Sequence, residues 1–163
     1  MIIPDKRLLN VAGVLACCGL MLYALYAQYF LELAPCPLCV FQRISVIALG
    51  VIFLIAAIHN AGRVGSLLYA ALVLLAAVGG AVVAGRHVWL QNLPPDKVPA
   101  CGPGLDFMMD AFPLAEALQM VFSGSGECAE VSWSLFGLSM PAWVLIAVTV
   151  LGVFGVWANL RKA

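Results

Sequence analysis

Charge is what this sequence has least of. Of its 163 residues, 64% are apolar and 10% are charged, whereas an average soluble domain carries about 25% charged residues. Eight basic and eight acidic residues give no net charge, so the chain lacks the basic excess with which nucleic-acid binders neutralise phosphates. A mean hydropathy of +1.07 also excludes a disordered chain, because disordered chains are charged and poor in apolar residues. The composition therefore excludes a soluble domain.

Four long stretches of the chain contain no charged residue. In chain order they are residues 8–31, 44–62, 64–85 and 131–160. About 20 apolar residues in a helix cross the hydrocarbon core, because a helix satisfies its own backbone hydrogen bonds. The sequence therefore predicts an all-α membrane protein, a bundle of four transmembrane helices at about 11–30, 40–58, 64–84 and 141–158 in one domain of residues 1–163. All nine prolines lie outside these spans or at the first residue of one, where a missing N–H costs least.

Basic residues are distributed unevenly between the two sides of this predicted bundle. Five of the eight lie on the side that holds both termini, and three lie on the other side with seven of the eight acidic residues. Because lysine and arginine favour the cytoplasmic side, both termini are predicted to be cytoplasmic. Two segments, about 31–39 and 86–139, then face outward. In the longer one, residues 105–122 mix apolar and acidic side chains, which predicts a short amphipathic helix on the membrane surface or against the bundle.

Four of the six cysteines fall in the two outward segments, Cys36 and Cys39 in the first and Cys101 and Cys128 in the second. Disulfides persist outside the cytoplasm, so this placement indicates structural bridges or thiol–disulfide exchange. Cys36 and Cys39 form a C-x-x-C motif, and a bridge across so small a loop gains little stability and suits exchange. Cys101 and Cys128 stand singly, so zinc is disfavoured and no metal site is predicted. Whether these two form a structural clip or part of a relay stays open.

Two ionisable residues lie at the outward ends of predicted spans. Arg43 follows Cys39 by one helical turn and shares its face. It is either an anchor that reaches toward the lipid headgroups or a fixed charge that stabilises a Cys39 thiolate and polarises an electron acceptor. The start of the second helix also favours negative charge on Cys39. His87 is either an interfacial capping residue or a hydrogen-bond partner for a carbonyl of a lipid-soluble oxidant.

Together these motifs resemble the disulfide bond formation protein B (DsbB) family, bacterial inner-membrane thiol:quinone oxidoreductases. The resemblance rests on Cys36-Pro37-Leu38-Cys39 with Arg43, on His87 with Gln91, on Cys101, on Ser125-Gly126-Glu127-Cys128-Ala129-Glu130 and on Gly137-Leu138-Ser139-Met140-Pro141. It covers nearly the whole chain. It implies the four-helix fold and a quinone, ubiquinone or menaquinone, as the electron acceptor.

The resemblance also implies a role for each cysteine. A reduced periplasmic thiol oxidase of the DsbA type would deliver electrons to a Cys101–Cys128 disulfide by attack on Cys101. Cys128 would then exchange with Cys36 and free Cys39 as a thiolate beside the quinone. Reduction of the quinone would restore the Cys36–Cys39 bridge, with Arg43 and His87 lining the same pocket.

Two alternative functions belong to other classes. One is an enzyme like vitamin K epoxide reductase, which is also a helical bundle with a C-x-x-C motif, although that family carries its motif late in the chain. The other is a structural or channel-forming membrane protein whose disulfides only clip loops. Such a protein needs neither the paired outward cysteines nor Arg43.

Overall fold

The structure is a computed structural model that describes residues 5–98, 113 and 126–161. Its helices and strands, in chain order, are α1 (Lys6–Tyr29), α2 (Pro37–His59), α3 (Arg63–Gln91), a 3₁₀ turn (Pro95–Lys97), α4 (Gly126–Ala129), β1 (Ser134–Leu135), β2 (Leu138–Ser139) and α5 (Met140–Leu160). Within the described ranges, four helices are long and apolar enough to cross a membrane, namely α1, α2, α3 and α5. The predicted four-helix membrane bundle is thus confirmed.

The helices are longer than the predicted spans, most of all α3. It continues beyond residue 84 to Gln91, so that Arg86 and His87 lie inside the helix and not at its end. A charged residue ends an apolar run, but it does not end a helix, since backbone hydrogen bonding continues into the interface. Apart from Pro113, the predicted amphipathic helix over 105–122 lies outside the described residues.

Close backbone approach at small residues builds the centre of the bundle. Phe53 of α2 is fully buried in a cluster with apolar side chains of α1, α3 and α5. Its ring lies against Gly13 of α1 and Gly155 of α5, where an added Cβ would come within 2.8 Å and 2.6 Å of ring atoms. Lipid tails are as apolar as the side chains, so membrane helices depend on such close packing for their association. α5 packs mainly on α3, and α2 packs on both α1 and α3.

Polar contacts join the helix ends on one side of the bundle. The Asn10 and Asn159 side-chain amides, both buried, donate to each other's oxygens over 3.3 Å and 3.1 Å. Lys6 donates to the Ala61 carbonyl and, over 3.1 Å, to Ser66 Oγ. The start of α1, the end of α5 and the α2–α3 connection therefore share one end of the bundle. The start of α2 lies at the opposite end.

A short hairpin, absent from the sequence-based prediction, leads into α5 at that opposite end. Ser134 pairs with Ser139 and Leu135 with Leu138, and the turn residues Phe136 and Gly137 have φ values of 52° and 78°. Glycine adopts this left-handed region without strain. Trp143 Nε1 donates to the Leu135 carbonyl over 3.1 Å, which fixes the hairpin on α5. The hairpin thereby forms one wall of the cavity described below.

Candidate active site

The first turn of α2 presents two cysteines. Cys36 is the N-cap residue and its Sγ accepts a hydrogen bond from the Cys39 backbone N–H over 3.3 Å, while Pro37 occupies the first helical position. Proline suits that position because its fixed φ matches the helix and its missing N–H would have no partner there. The Cys36 thiol donates to Cys39 Sγ over 2.9 Å. Both are free thiols in this structure, and their sulfur atoms lie close enough for a disulfide bond to form between them.

A third thiol reaches the same point from the other outward segment. The short helix α4 packs against α3 and carries Cys128. Cys36 Sγ, Cys128 Sγ and a ring nitrogen of His87 all lie within 4.8 Å of one another. Cys36, His87 and Cys128 have exposed fractions of 8%, 3% and 1%, so water has little access to their meeting point. Cys101, the fourth cysteine of the predicted site, lies outside the described residues.

Cys36 occupies the middle of this group of sulfur atoms. Its thiol is hydrogen-bonded to both Cys128 and Cys39. The hydrogen bond with Cys128, the one with Cys39 and burial, in that order, raise the pKa of Cys36 well above its usual range. Cys36 is therefore held as a protonated hydrogen-bond donor. It lies between Cys128 and Cys39, the two cysteines with which it can exchange a disulfide bond.

Gln42 orients the imidazole that faces these thiols. Its amide nitrogen lies 2.9 Å from His87 Nδ1, and His87 Nε2 lies 3.8 Å from Cys36 Sγ. With the amide donating to Nδ1, the ring proton sits on Nε2 and points toward sulfur. The sequence-based prediction missed Gln42. The available signal was an uncharged polar residue three positions after Cys39 in a mainly apolar helix, which at that spacing shares the Cys39 face.

Arg43 is fixed by α1. One guanidinium nitrogen donates to Gln28 Oε1, and the other donates to the Ala24 carbonyl over 3.1 Å. These hydrogen bonds hold the guanidinium against α1. The contacts therefore do not support the interpretation of Arg43 as an anchor that reaches toward the lipid headgroups. Arg43 also lines the cavity that Cys39 borders. Gln28, which sequence reasoning did not single out, thus positions the charge.

A mainly apolar cavity of about 320 Å³ opens beside Cys39. Its polar lining includes Cys36, Cys39, Gln42, Arg43, His87 and Gln91, and its aromatic lining comes from Tyr23, Trp133 and Trp143. Gln91 Nε2 donates to the Glu130 carbonyl over 3.5 Å, but its buried Oε1 has no hydrogen-bond partner among the described residues. The cavity therefore offers an apolar chamber with a fixed cation, an imidazole and an unused acceptor.

Comparison with known proteins identifies one family. The family model for disulfide bond formation protein DsbB matches residues 6–158. A disulfide bond formation protein B of Saccharophagus degradans is 52% identical over 161 residues, 99% of this chain and 97% of that protein. One of Methylococcus capsulatus is 48% identical over 164 residues, 99% of this chain and all of that protein. One of Chromohalobacter salexigens is 54% identical over 140 residues, 85% of this chain and 81% of its relative.

Proposed function

This chain belongs to the DsbB family, and on that premise we propose that it is a protein-thiol:quinone oxidoreductase of the bacterial inner membrane. It reoxidises a periplasmic thiol oxidase of the DsbA type and passes the electrons to ubiquinone or menaquinone. The observation that carries the proposal is the meeting of Cys128, Cys36 and Cys39 beside one apolar cavity. Family membership disfavours both the vitamin K epoxide reductase-like and the structural alternatives.

The order of the three sulfur atoms supports a defined sequence of exchanges. A partner thiolate attacks Cys101 of a Cys101–Cys128 disulfide, and the mixed disulfide resolves to release oxidised partner and two reduced cysteines. The Cys128 thiolate then attacks Cys36 of the Cys36–Cys39 disulfide, so that the Cys128–Cys36 bond forms and Cys39 leaves as a thiolate. Cys101 next attacks Cys128, which restores the first disulfide and leaves Cys36 and Cys39 with the electron pair. The central place of Cys36 supports this order.

The cavity fits a quinone headgroup in size and lining. A bound quinone supplies a two-electron, two-proton acceptor. Arg43 contributes a fixed positive charge and His87 contributes a ring N–H. The Gln91 Oε1 atom, buried beside the cavity without a partner among the described residues, is an acceptor suited to a hydroxyl group. The apolar walls exclude water, which strengthens each of these interactions.

The bundle end that carries Cys36 is proposed to face the periplasm. The opposite end holds Lys6, Arg7, Arg63 and Arg161, and basic residues favour the cytoplasmic side. Thiol–disulfide exchange with a secreted partner also requires an oxidising compartment.

The test is a quinone-reduction assay with the purified full chain in detergent and a reduced DsbA-type partner. The change in quinone absorbance measures the rate. Cys39→Ser is expected to lower turnover to background, because it removes the sulfur that lies against the cavity. Cys18→Ser is the matched control, since Cys18 is exposed on α1 away from the site, and it is expected to keep the wild-type rate. Wild-type turnover in Cys39→Ser would refute the proposal.

A further inference from the structure

Three possible metal ligands of the site lie closer together than the exchange reaction requires. Cys36, Cys128 and His87 come from three different elements, yet their ligand atoms all lie within 4.8 Å of one another. Exchange needs the two sulfur atoms to meet, but it does not need a ring nitrogen within 4.8 Å of both. Two thiolates and an imidazole around one point are the donor set that proteins use for Zn²⁺.

The spacing of these donors agrees with tetrahedral coordination. Zn–S bonds of about 2.3 Å and Zn–N bonds of about 2.0 Å at tetrahedral angles put sulfur about 3.5 Å from nitrogen and sulfur about 3.8 Å from sulfur. The observed distance from Cys36 Sγ to His87 Nε2 is 3.8 Å, and the whole set lies within 4.8 Å. Small side-chain rotations therefore suffice to bring all three donors to an ion.

Cys39 completes a four-ligand shell. Its Sγ lies 2.9 Å from Cys36 Sγ, and a rotation that opens this separation to about 3.8 Å meets the tetrahedral requirement. The C-x-x-C spacing is itself a common metal-ligand spacing. Cys36, Cys39 and His87 also line the cavity, which gives an ion a path to donors that are otherwise buried.

Gln42 supplies the support that a metal-ligating histidine needs. Such a histidine binds through one nitrogen and donates its other ring N–H to a neighbouring acceptor, which fixes the tautomer. The Gln42 amide lies 2.9 Å from Nδ1 and has both a donor and an acceptor end, so turning it over lets Oε1 accept the Nδ1 proton. The same residue thus serves either protonation pattern of His87.

We propose that the reduced protein binds one Zn²⁺ ion through Cys36, Cys39, Cys128 and His87. Thiolate and imidazole ligands select zinc over magnesium or calcium, which prefer oxygen. A Cys36–Cys39 disulfide removes two of the sulfur ligands and a Cys101–Cys128 disulfide removes the third, so metal binding and oxidation exclude each other. The proposal of Zn²⁺ binding rests on this geometry alone. Because the bound ion occupies sulfur atoms that take part in exchange, we also expect Zn²⁺ to halt turnover, and this expectation rests on the proposed function as well.

The experiment titrates Zn²⁺ into the untagged full-length chain in detergent, reduced with a phosphine that does not chelate metals, against a chromophoric chelator. We expect one ion per chain. Cys36→Ser, Cys128→Ser and His87→Asn should each weaken binding at least tenfold, while Cys18→Ser and His59→Asn, exposed controls of the same residue types, should not change it. Cobalt substitution should give an intense thiolate-to-metal absorption band that Cys36→Ser diminishes.

The redox state of the wild-type chain provides a test that needs no substitution. Wild-type protein oxidised before titration should not bind Zn²⁺. Equal Zn²⁺ binding by oxidised and reduced protein would overturn the proposal. Unchanged Zn²⁺ affinity in both Cys36→Ser and Cys128→Ser would overturn it as well. In the quinone assay, a chain whose reduced form binds Zn²⁺ but which shows no turnover after a chelator has removed the metal would refute the proposed function alone. Normal turnover with no metal bound by the reduced protein would refute the metal site alone.

Discussion

At the scale of single residues, the Gln42 amide that donates to His87 Nδ1 leaves the ring proton on Nε2, the nitrogen that faces the cysteines. Both side chains are buried, and they are joined by one hydrogen bond of 2.9 Å. A buried imidazole without this partner is free to adopt the other tautomer, in which Nε2 presents a lone pair to Cys36 instead of a proton. Gln42 is thus a positioning residue that acts through His87.

Gln42→Leu is expected to lower kcat about tenfold, the equivalent of a lost hydrogen bond of about 1.4 kcal/mol. Gln42→Glu is expected to recover little of this loss, because an ionised carboxylate only accepts hydrogen bonds and so favours the tautomer with the ring proton on Nδ1. The measurement is kcat and KM of quinone reduction for both variants, with thermal unfolding as the control for stability. A wild-type kcat in Gln42→Leu would contradict the positioning role.

Arg43 shows how a charge predicted to act on a cofactor is held in place. Its guanidinium donates to two acceptors of α1 at once, and lysine lacks the planar fork that this geometry requires.

Arg43→Lys is expected to raise the KM for quinone about tenfold through loss of one hydrogen bond of about 1.4 kcal/mol, with kcat less affected. Gln28→Leu keeps the charge but removes one anchor, and it should raise KM in the same direction. Steady-state kinetics with a soluble quinone analogue measure both. A wild-type KM in Arg43→Ala would show that the charge does not contact the quinone.

At the scale of elements, α1 and α5 each carry a glycine that lets the Phe53 ring of α2 lie against the helix backbone. A methyl group at Gly13 would lie 2.8 Å from the Phe53 ring, well inside normal contact distance, and the fully buried ring also lies against Gly155 of α5.

Gly13→Ala is expected to destabilise the bundle by about 1–3 kcal/mol, the usual cost of overpacking. Gly19→Ala on the same helix is the matched control, because an added Cβ there meets no atom within 4 Å. Phe53→Leu should recover part of the loss in the double variant. Thermal unfolding in detergent measures the series, and equal melting temperatures for both glycine variants would contradict the packing argument.

At the scale of the whole molecule, the two ends of the bundle differ in chemistry. One end is tied by the buried Asn10–Asn159 pair and carries basic residues, and the other carries the thiols, the hairpin and the cavity. Cys36 and Cys128 are too buried to report the orientation with a labelling reagent. Exposed positions at each end are better probes.

Glu130→Cys is expected to react with a membrane-impermeant maleimide in cells whose outer membrane alone is permeabilised, because Glu130 is exposed at the thiol end. Arg63→Cys, exposed at the opposite end, should react only after the inner membrane is broken. Mass-shift gels of the labelled protein measure both. The reverse pattern would invert the proposed orientation.

The amino-acid sequence alone predicts the four helices and a C-x-x-C motif at the start of the second, because charge gaps and proline positions are local properties on which membrane insertion depends directly. The resemblance of its motifs also predicted the family, which the comparisons confirmed. It did not predict the continuation of α3 to Gln91 or the hairpin before α5. Which side chains meet is visible only in the folded bundle. The contact of Cys128 with Cys36, the Gln42–His87 bond and the anchoring of Arg43 by Gln28 join residues far apart in the chain. Such contacts depend on how helices pack, and packing is set by side-chain shape and not by any local period.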